Sequence, residues 1–254
     1  MSLFRNIVLT AVVAGLLSGL LLTVMQSLST VPLILQAEVF ENAAPGAGHS
    51  HSHEAVPSAG AAAPSHEHHH EGAWTPADGL ERFLYTAAAN MLSGIGFALV
   101  FVAVCEAMGG LNNWRSGLLF GIAGFVAVVL APGLGLPPEL PGMPAAELGP
   151  RQVWWIATAA CTAVSLGLLA YSHSAVLAVL AILLLIAPHL VGAPLPPSHE
   201  TAVPMDLEAR FVNAVFATNL VFWAVLGTLA ALVRAKFRSG EEAAANAAPG
   251  LVSR

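Results

Sequence analysis

Seven histidines crowd into one short polar stretch of this chain. They are His49, His51 and His53 in Gly48-His49-Ser50-His51-Ser52-His53-Glu54, and His66, His68, His69 and His70 in Ser65-His66-Glu67-His68-His69-His70-Glu71. Neutral imidazole is the commonest protein ligand for late first-row metal ions. In an extended chain alternate side chains point the same way about 7 Å apart, and two donors on one ion must come to roughly 3 Å. The surrounding Gly, Ala and Ser let the chain turn that far, at an ordering cost that favours modest affinity and fast exchange. That suits capture and release. The stretch has no cysteine, which disfavours a soft ion such as Cu(I). Imidazole with carboxylate suits Co, Ni, Zn or Cu(II), and the ligands alone do not choose among them. The plainer alternative is a histidine-rich linker that acts only as a pH-sensitive spacer. The triplet His68-His69-His70 is too short and too internal for a purification tag.

The histidines lie between apolar runs. Of 254 residues 56% are hydrophobic and 9% charged, where a soluble domain carries about 25% charged. Lipid is therefore the neighbour of most of this chain. Cys105 and Cys161 fall inside apolar runs, read as small buried apolar residues, and give no disulfide framework. The net charge of −6 gives no reason to expect nucleic acid. Lys236, the only lysine, has no Gly-Lys-Ser/Thr context, so ATP hydrolysis by a phosphate-cradling loop is excluded. No nucleophile–base arrangement is visible, so neither an enzyme nor a prosthetic group is expected.

A span needs roughly 20 apolar residues. The candidates are 7–28, 84–105, 116–136, 153–171, 175–194 and 211–233. The fold class is an all-α polytopic helical bundle of about six transmembrane helices, with five as the alternative. The third span reaches full length only if the helix runs through Pro132-Gly133 to Leu136. The first exceeds a signal-peptide core and reads as an uncleaved anchor. With six spans Arg5, Arg115, Arg234, Lys236 and Arg238 share one side, the cytoplasm, which then holds both termini. Most acids and nine of ten histidines fall on the other side. The organisation expected is a single membrane domain over 1–238, with an extracytoplasmic His-rich loop at 36–80, and a disordered cytoplasmic tail at 239–254.

Three helices entering from outside open near Pro76, Pro150 and Pro204, where a missing N–H costs least. Prolines 32, 132 and 188 close the others, a pattern that hints at three helical hairpins. Gly15-x-x-x-Gly19 and Gly117-x-x-x-Gly121 are close-packing signals. Trp154, Trp155 and Trp74 fit an aromatic belt. Intramembrane polar residues are costly and often functional. Gln26, Asn90, Asn213, Asn219 and His189 all sit in the outer halves of their helices, with Met25 and Met91 alongside and Glu38 just above. They are expected to converge on one vestibule. Interhelical structural bonding is the competing role for the asparagines. Pro188 breaks a helical hydrogen bond beside His189 and frees a carbonyl.

Several blocks carry a family resemblance. They are Val31-Pro32-Leu33-Ile34-Leu35-Gln36-Ala37-Glu38-Val39-Phe40-Glu41; Asp78-Gly79-Leu80-Glu81-Arg82 with Tyr85-Thr86 and Asn90; Leu134-Gly135-Leu136-Pro137-Pro138-Glu139-Leu140-Pro141-Gly142-Met143 before Arg151-Gln152-Val153-Trp154-Trp155; Pro188-His189-Leu190-Val191-Gly192-Ala193-Pro194; and Ala217-Thr218-Asn219 with Phe222-Trp223. Together they resemble the CbtA family of cobalt transporter subunits, over nearly the whole chain except the tail. The resemblance implies cobalt (Co2+) uptake across a bacterial cytoplasmic (inner) membrane, linked to cobalamin synthesis. It also implies a small single-span partner, CbtB. Its motifs single out Glu38, Glu139 and His189, which with Asn90 and Asn219 make up the expected ion path. A nickel or zinc transporter, or a membrane-anchored metal sensor or chaperone that translocates nothing, are the alternatives.

Overall fold

The computed structural model describes residues 2–43, 76–77, 79–198 and 200–246. The helices are α1 (Ser2–Leu28), α2 (Thr30–Ala43), α3 (Leu80–Ala107), α4 (Trp114–Phe125), α5 (Ala131–Gly135), α6 (Leu148–Tyr171), α7 (Ala175–Val191) and α8 (Met205–Asn246), and the described residues contain no strand. A π-helical turn, Val126–Leu130, joins α4 to α5 without a break.

Five helices are long and apolar enough to cross a membrane: Leu3–Leu28, Leu80–Ala107, Trp114–Gly135, Leu148–Tyr171 and Met205–Gly240. Helix α7 has 17 residues, about 25 Å at 1.5 Å each. It still runs the height of the bundle, because it returns antiparallel to α6. The Trp154 indole near the start of α6 donates to the Pro188 carbonyl near the end of α7 at 3.1 Å. The termini therefore share one end of the bundle, and α2 with the loops 136–147 and 192–204 caps the other.

Helix α8 is the axis. It packs against α1 and α4, while α1 packs most extensively against α3, and α6 against α7. Of the expected three sequential hairpins, α1 packs with α3 and the third span packs with α6 through the π-turn and α5, whereas α7 and α8 make little contact; the other close pairs are α4 with α8 and α6 with α7. Glycines decide this. A methyl group on Gly117 would strike the Gly227 carbonyl oxygen, and one on Gly121 the Trp223 carbonyl oxygen. Backbones in such contact gain packing that side chains would forbid. Gly15 and Gly19 bring α1 equally close to Gly94-Ile95 and Asn90-Met91 of α3. The core around this axis includes Leu22, Val102, Phe125, Phe222, Trp223 and Leu226.

Pro132 does not end the third span. The π-turn widens the helix just before it: the Ala131 N–H reaches five residues back to the Val126 carbonyl. That relieves the clash of a proline ring with the carbonyl four residues earlier.

Residues 36–43, expected to begin the outer loop at 36–80, are instead part of a helix that starts at Thr30. The chain bends at Ser29, whose hydroxyl and N–H both donate to the Met25 carbonyl, at 2.7 and 3.0 Å. It then resumes as α2 with Pro32 in its first turn, where the absent N–H is tolerated. Leu33 and Ala37, one turn apart, bury against Leu140, Val203, Leu207 and Phe211 in a second, smaller core. At the other terminus α8 runs on to Asn246, so the first part of the tail expected to be disordered is helical. Glu241, Glu242 and the alanines after them are strong helix formers.

Candidate functional site: a polar cleft at the capped end

Helices α1, α2, α3 and α8 enclose two adjoining cavities at the capped end, of about 330 and 250 Å³, both lined by Val31, Arg82 and Thr86. Gln26 and Thr30 add polar surface to the larger, Thr23 and Ser27 to the smaller. These side chains are brought together by the bend at Ser29, which swings α2 over the start of α3.

Of the residues expected to converge, Asn90 and Gln26 do so. The Asn90 amide donates to Gln26 Oε1 at 2.7 Å and to Thr23 Oγ1 at 3.1 Å, tying α3 to α1 beneath the cleft. Thr23 is fully buried and donates its own proton to the Gly19 carbonyl at 2.9 Å. The Asn90 amide nitrogen thus has two acceptors and the Thr23 hydroxyl both donates and accepts, the pairing a low-dielectric interior favours.

Glu38 and Glu139 each hold an arginine. Arg82 Nη2 lies 2.9 Å from Glu38 Oε1, joining α3 to α2 above the cleft, and Arg151 Nη2 lies 2.9 Å from Glu139 Oε2, joining α6 to the preceding loop. All four side chains are 26–30% exposed, so water reaches them. Pairs of that exposure are worth on the order of 1 kcal/mol or less and exchange readily. His189 is exposed on α7, edge-on to Trp154 with ring centroids 5.8 Å apart. The Pro188 carbonyl beside it is not open, because it accepts from both the Trp154 indole and the Gly192 N–H. The Asn219 amide bonds to its own helix at the Val215 carbonyl, 2.9 Å away, and Asn213 is exposed. Glu139, His189 and Asn219 thus stand apart from the cleft. Among the described residues no group of three or more His, Cys, Asp or Glu is placed to hold a metal ion.

The candidate ligands His49, His51, His53, His66, His68, His69 and His70 lie outside the described residues, as do His199, Trp74 and Asp78. The flanks of that segment are described: α2 ends at Ala43, and α3 begins after Gly79, which lines the smaller cavity. The Ala77 N–H donates to Glu81 Oε2 at 3.1 Å, just ahead of the start of α3. Of the tryptophans assigned to a belt, Trp154 is buried and bonded instead, and Trp155 is exposed.

Two features lay beyond the sequence reading. Glu106 at the end of α3 and Arg234 on α8 form a buried ion pair. A stripe of Thr158, Thr162 and Ser165 is buried on α6. The stripe's spacing of four and three residues was its available signal.

A family model described as "Probable cobalt transporter subunit (CbtA)" matches residues 4–234 of the 254-residue chain. The chain belongs to the CbtA family. It is therefore a multi-pass membrane protein of a cobalt transporter subunit family. The match spans all six apolar segments, the Glu38–Arg82 and Glu139–Arg151 pairs, and Arg234, and ends before the tail. No curated protein and no solved structure matches this CbtA chain.

Proposed function

We propose that this chain is the membrane subunit of a Co2+ uptake system of the bacterial inner membrane. Its histidine segment captures the ion outside and delivers it to the cleft between α1, α2, α3 and α8. One observation carries the reading: both described flanks of the segment, α2 and the Gly79 start of α3, form walls of the cleft. An ion held by those histidines is tethered over that opening. The basic residues Arg5, Arg115, Arg234, Lys236 and Arg238 at the terminal end favour both termini in the cytoplasm.

Within this reading Glu38 is the first fixed carboxylate met by the ion. Arg82 competes for it, so entry requires the arginine to let go of an exposed pair worth about 1 kcal/mol or less. Glu139, His189 and Asn219 act at later or lateral positions of the path. The word subunit in the family description fits a partner, and a small single-span CbtB is the partner proposed. Imidazoles concentrate the ion, and the carboxylate neutralises its charge as water is lost.

The test is uptake of radiolabelled cobalt into sealed vesicles, with and without the partner. Deletion of residues 48–71 should raise the half-saturating Co2+ concentration several-fold while sparing the maximal rate. Unchanged uptake at low metal concentration would remove the capture role. Accessibility labelling that placed residues 49–70 in the cytoplasm would reverse the direction of delivery.

A further inference from the structure

The walls of the cleft carry a charge opposite to what a bare metal ion needs. The Arg82 guanidinium lines both cavities, and among the described residues neither lining includes an Asp, Glu, His or Cys. Thr86, also common to both, brings a hydroxyl donor. Gln26 of the larger cavity accepts from Asn90 through Oε1, so its NH2 is the end left to donate. The smaller cavity meets the start of α3. Gly79 lines it, no side chain caps that start, and the dipole of a 28-residue helix has its positive end there.

Guanidinium, helix start and neutral donors together suit an oxyanion. Arginine grips a carboxylate with two parallel N–H bonds where the geometry allows. A naked divalent ion in the same space meets a positive charge and gives up its water to no charged ligand. At about 330 and 250 Å³, the adjoining cavities have the dimensions of a small-molecule site, roughly 300–1,000 Å³.

Glu38 is the counterpart. It lines neither cavity, yet its Oε1 holds Arg82 Nη2 at 2.9 Å. Both side chains are 30% exposed, and pairs so hydrated exchange partners readily. An incoming carboxylate that takes the guanidinium releases Glu38. The released carboxylate is then an oxygen ligand for a metal. One species satisfies both residues only if it carries an anionic carboxylate and the metal together. A phosphate would suit Arg82 and the helix start equally well, but it brings nothing for Glu38.

We infer that the cleft takes its ion as a complex with a small polycarboxylate. A carboxylate of the complex docks on Arg82 and the start of α3, and Glu38, exchanged off the arginine, enters the coordination sphere of the metal. This rests on the proposed role of the cleft as the ion's way in, and it names the form in which the ion arrives.

The experiment is equilibrium binding of radiolabelled citrate to the purified full-length protein, with and without Co2+. Citrate is the probe because its complex with one Co2+ remains an anion. Wild-type protein is expected to bind citrate saturably, and Co2+ to tighten that binding several-fold. Arg82→Gln should weaken binding about tenfold or more in both conditions, the equivalent of one lost charge-assisted hydrogen bond. Arg82→Lys keeps the charge without the fork and should fall between. Glu38→Gln removes at once the competitor for Arg82 and the ligand for the metal. It should bind metal-free citrate more tightly than wild type and lose the tightening by Co2+, a pair of opposite effects that damage to the fold does not produce. If Arg82→Gln does not fold, Arg82→Lys and Glu38→Gln decide. No saturable binding by the wild type, no tightening by Co2+, binding unchanged by the Arg82 substitutions, or weaker metal-free binding in folded Glu38→Gln overturns the inference. So does displacement of citrate by equimolar phosphatidylglycerol or inorganic phosphate, which would mark a phosphate site instead. Free Co2+ entering vesicles while citrate fails to bind would leave the transport function standing and remove this inference; citrate binding without transport would do the reverse.

Discussion

Arg234 on α8 and Glu106 at the end of α3 meet at 2.9 Å across 128 residues of sequence, with the arginine 4% exposed and the carboxylate 21%. A second contact of 3.4 Å makes the pair two-pronged. One turn later Arg238 donates to the Leu111 carbonyl and to Asn112. The α3–α4 turn, with left-handed Gly109 and Gly110, is thus clamped to α8. Removing one partner of such a pair strands a buried charge. Glu106→Gln should cost about 3 kcal/mol, read as a fall in melting temperature of the detergent-solubilised protein. Glu106→Leu combined with Arg234→Met should recover most of that loss. Equal losses in the single and double variants would show that the charges are not coupled.

Asn90 is the one predicted path residue whose present bonds explain it as interhelical glue. Asn90→Ala leaves Gln26 Oε1 without its 2.7 Å donor. Membrane hydrogen bonds of this kind are worth about 0.6 to 2 kcal/mol. A modest drop in melting temperature is expected, with cobalt uptake per folded molecule retained. A loss of uptake at unchanged stability would make Asn90 part of the ion's route.

Gly121 should tolerate no larger residue. Gly121→Val places a side chain against the Trp223 carbonyl, and backbone there has no room to yield. Folded yield on size-exclusion chromatography should collapse. Gly167→Ala on α6, where an added methyl meets nothing within 4 Å, should be neutral and serves as the control.

Metal capture should weaken as the outside becomes acidic. A histidine must lose its proton to ligate, and its ordinary pKa is about 6.5. At pH 7.5 the imidazoles are largely neutral and competent; at about pH 5.5 most carry a proton where the metal would bind. Cobalt bound by the full-length protein, followed by equilibrium dialysis, should fall over this range. Flat binding would transfer the capture role to carboxylates, which stay ionised throughout it.

The six apolar segments were legible because burial in lipid leaves long unbroken runs, and the limits of the first five agree with the helices to within a few residues, whereas α8 starts at Met205 and runs on to Asn246, well past the expected 211–233. Gly15, Gly19, Gly117 and Gly121 were legible as contact points, but which helix each would meet was not. Glycine spacing says that a backbone comes close, and only the fold says that Gly117 meets Gly227. Helix α2 was missed because Gln36, Glu38 and Glu41 dilute a single apolar seam, Leu33 and Ala37, that buries against loops rather than another span. At the cleft, residue type placed Gln26 and Asn90 at the right depth, and their pairing follows from adjacency of α1 and α3. His189 and Asn219 share that depth but sit on other faces. Depth along a span can be counted from sequence, whereas rotation about the bundle axis depends on packing between distant segments. Glu38 and Glu139 were singled out by motif, while their arginine partners came only with tertiary structure.

Helix α7 falls about 5 Å short of the roughly 30 Å hydrocarbon thickness of a typical bilayer. Lipid around it must pinch, whereas lipid around α1 and α3 need not. The membrane beside this protein is consequently lopsided, and acyl-chain length becomes a handle on the α6–α7 pair that no ligand or mutation provides. Reconstitution in shorter-chain lipid should raise protection of the α7 amides from hydrogen exchange while leaving those of α1 unchanged.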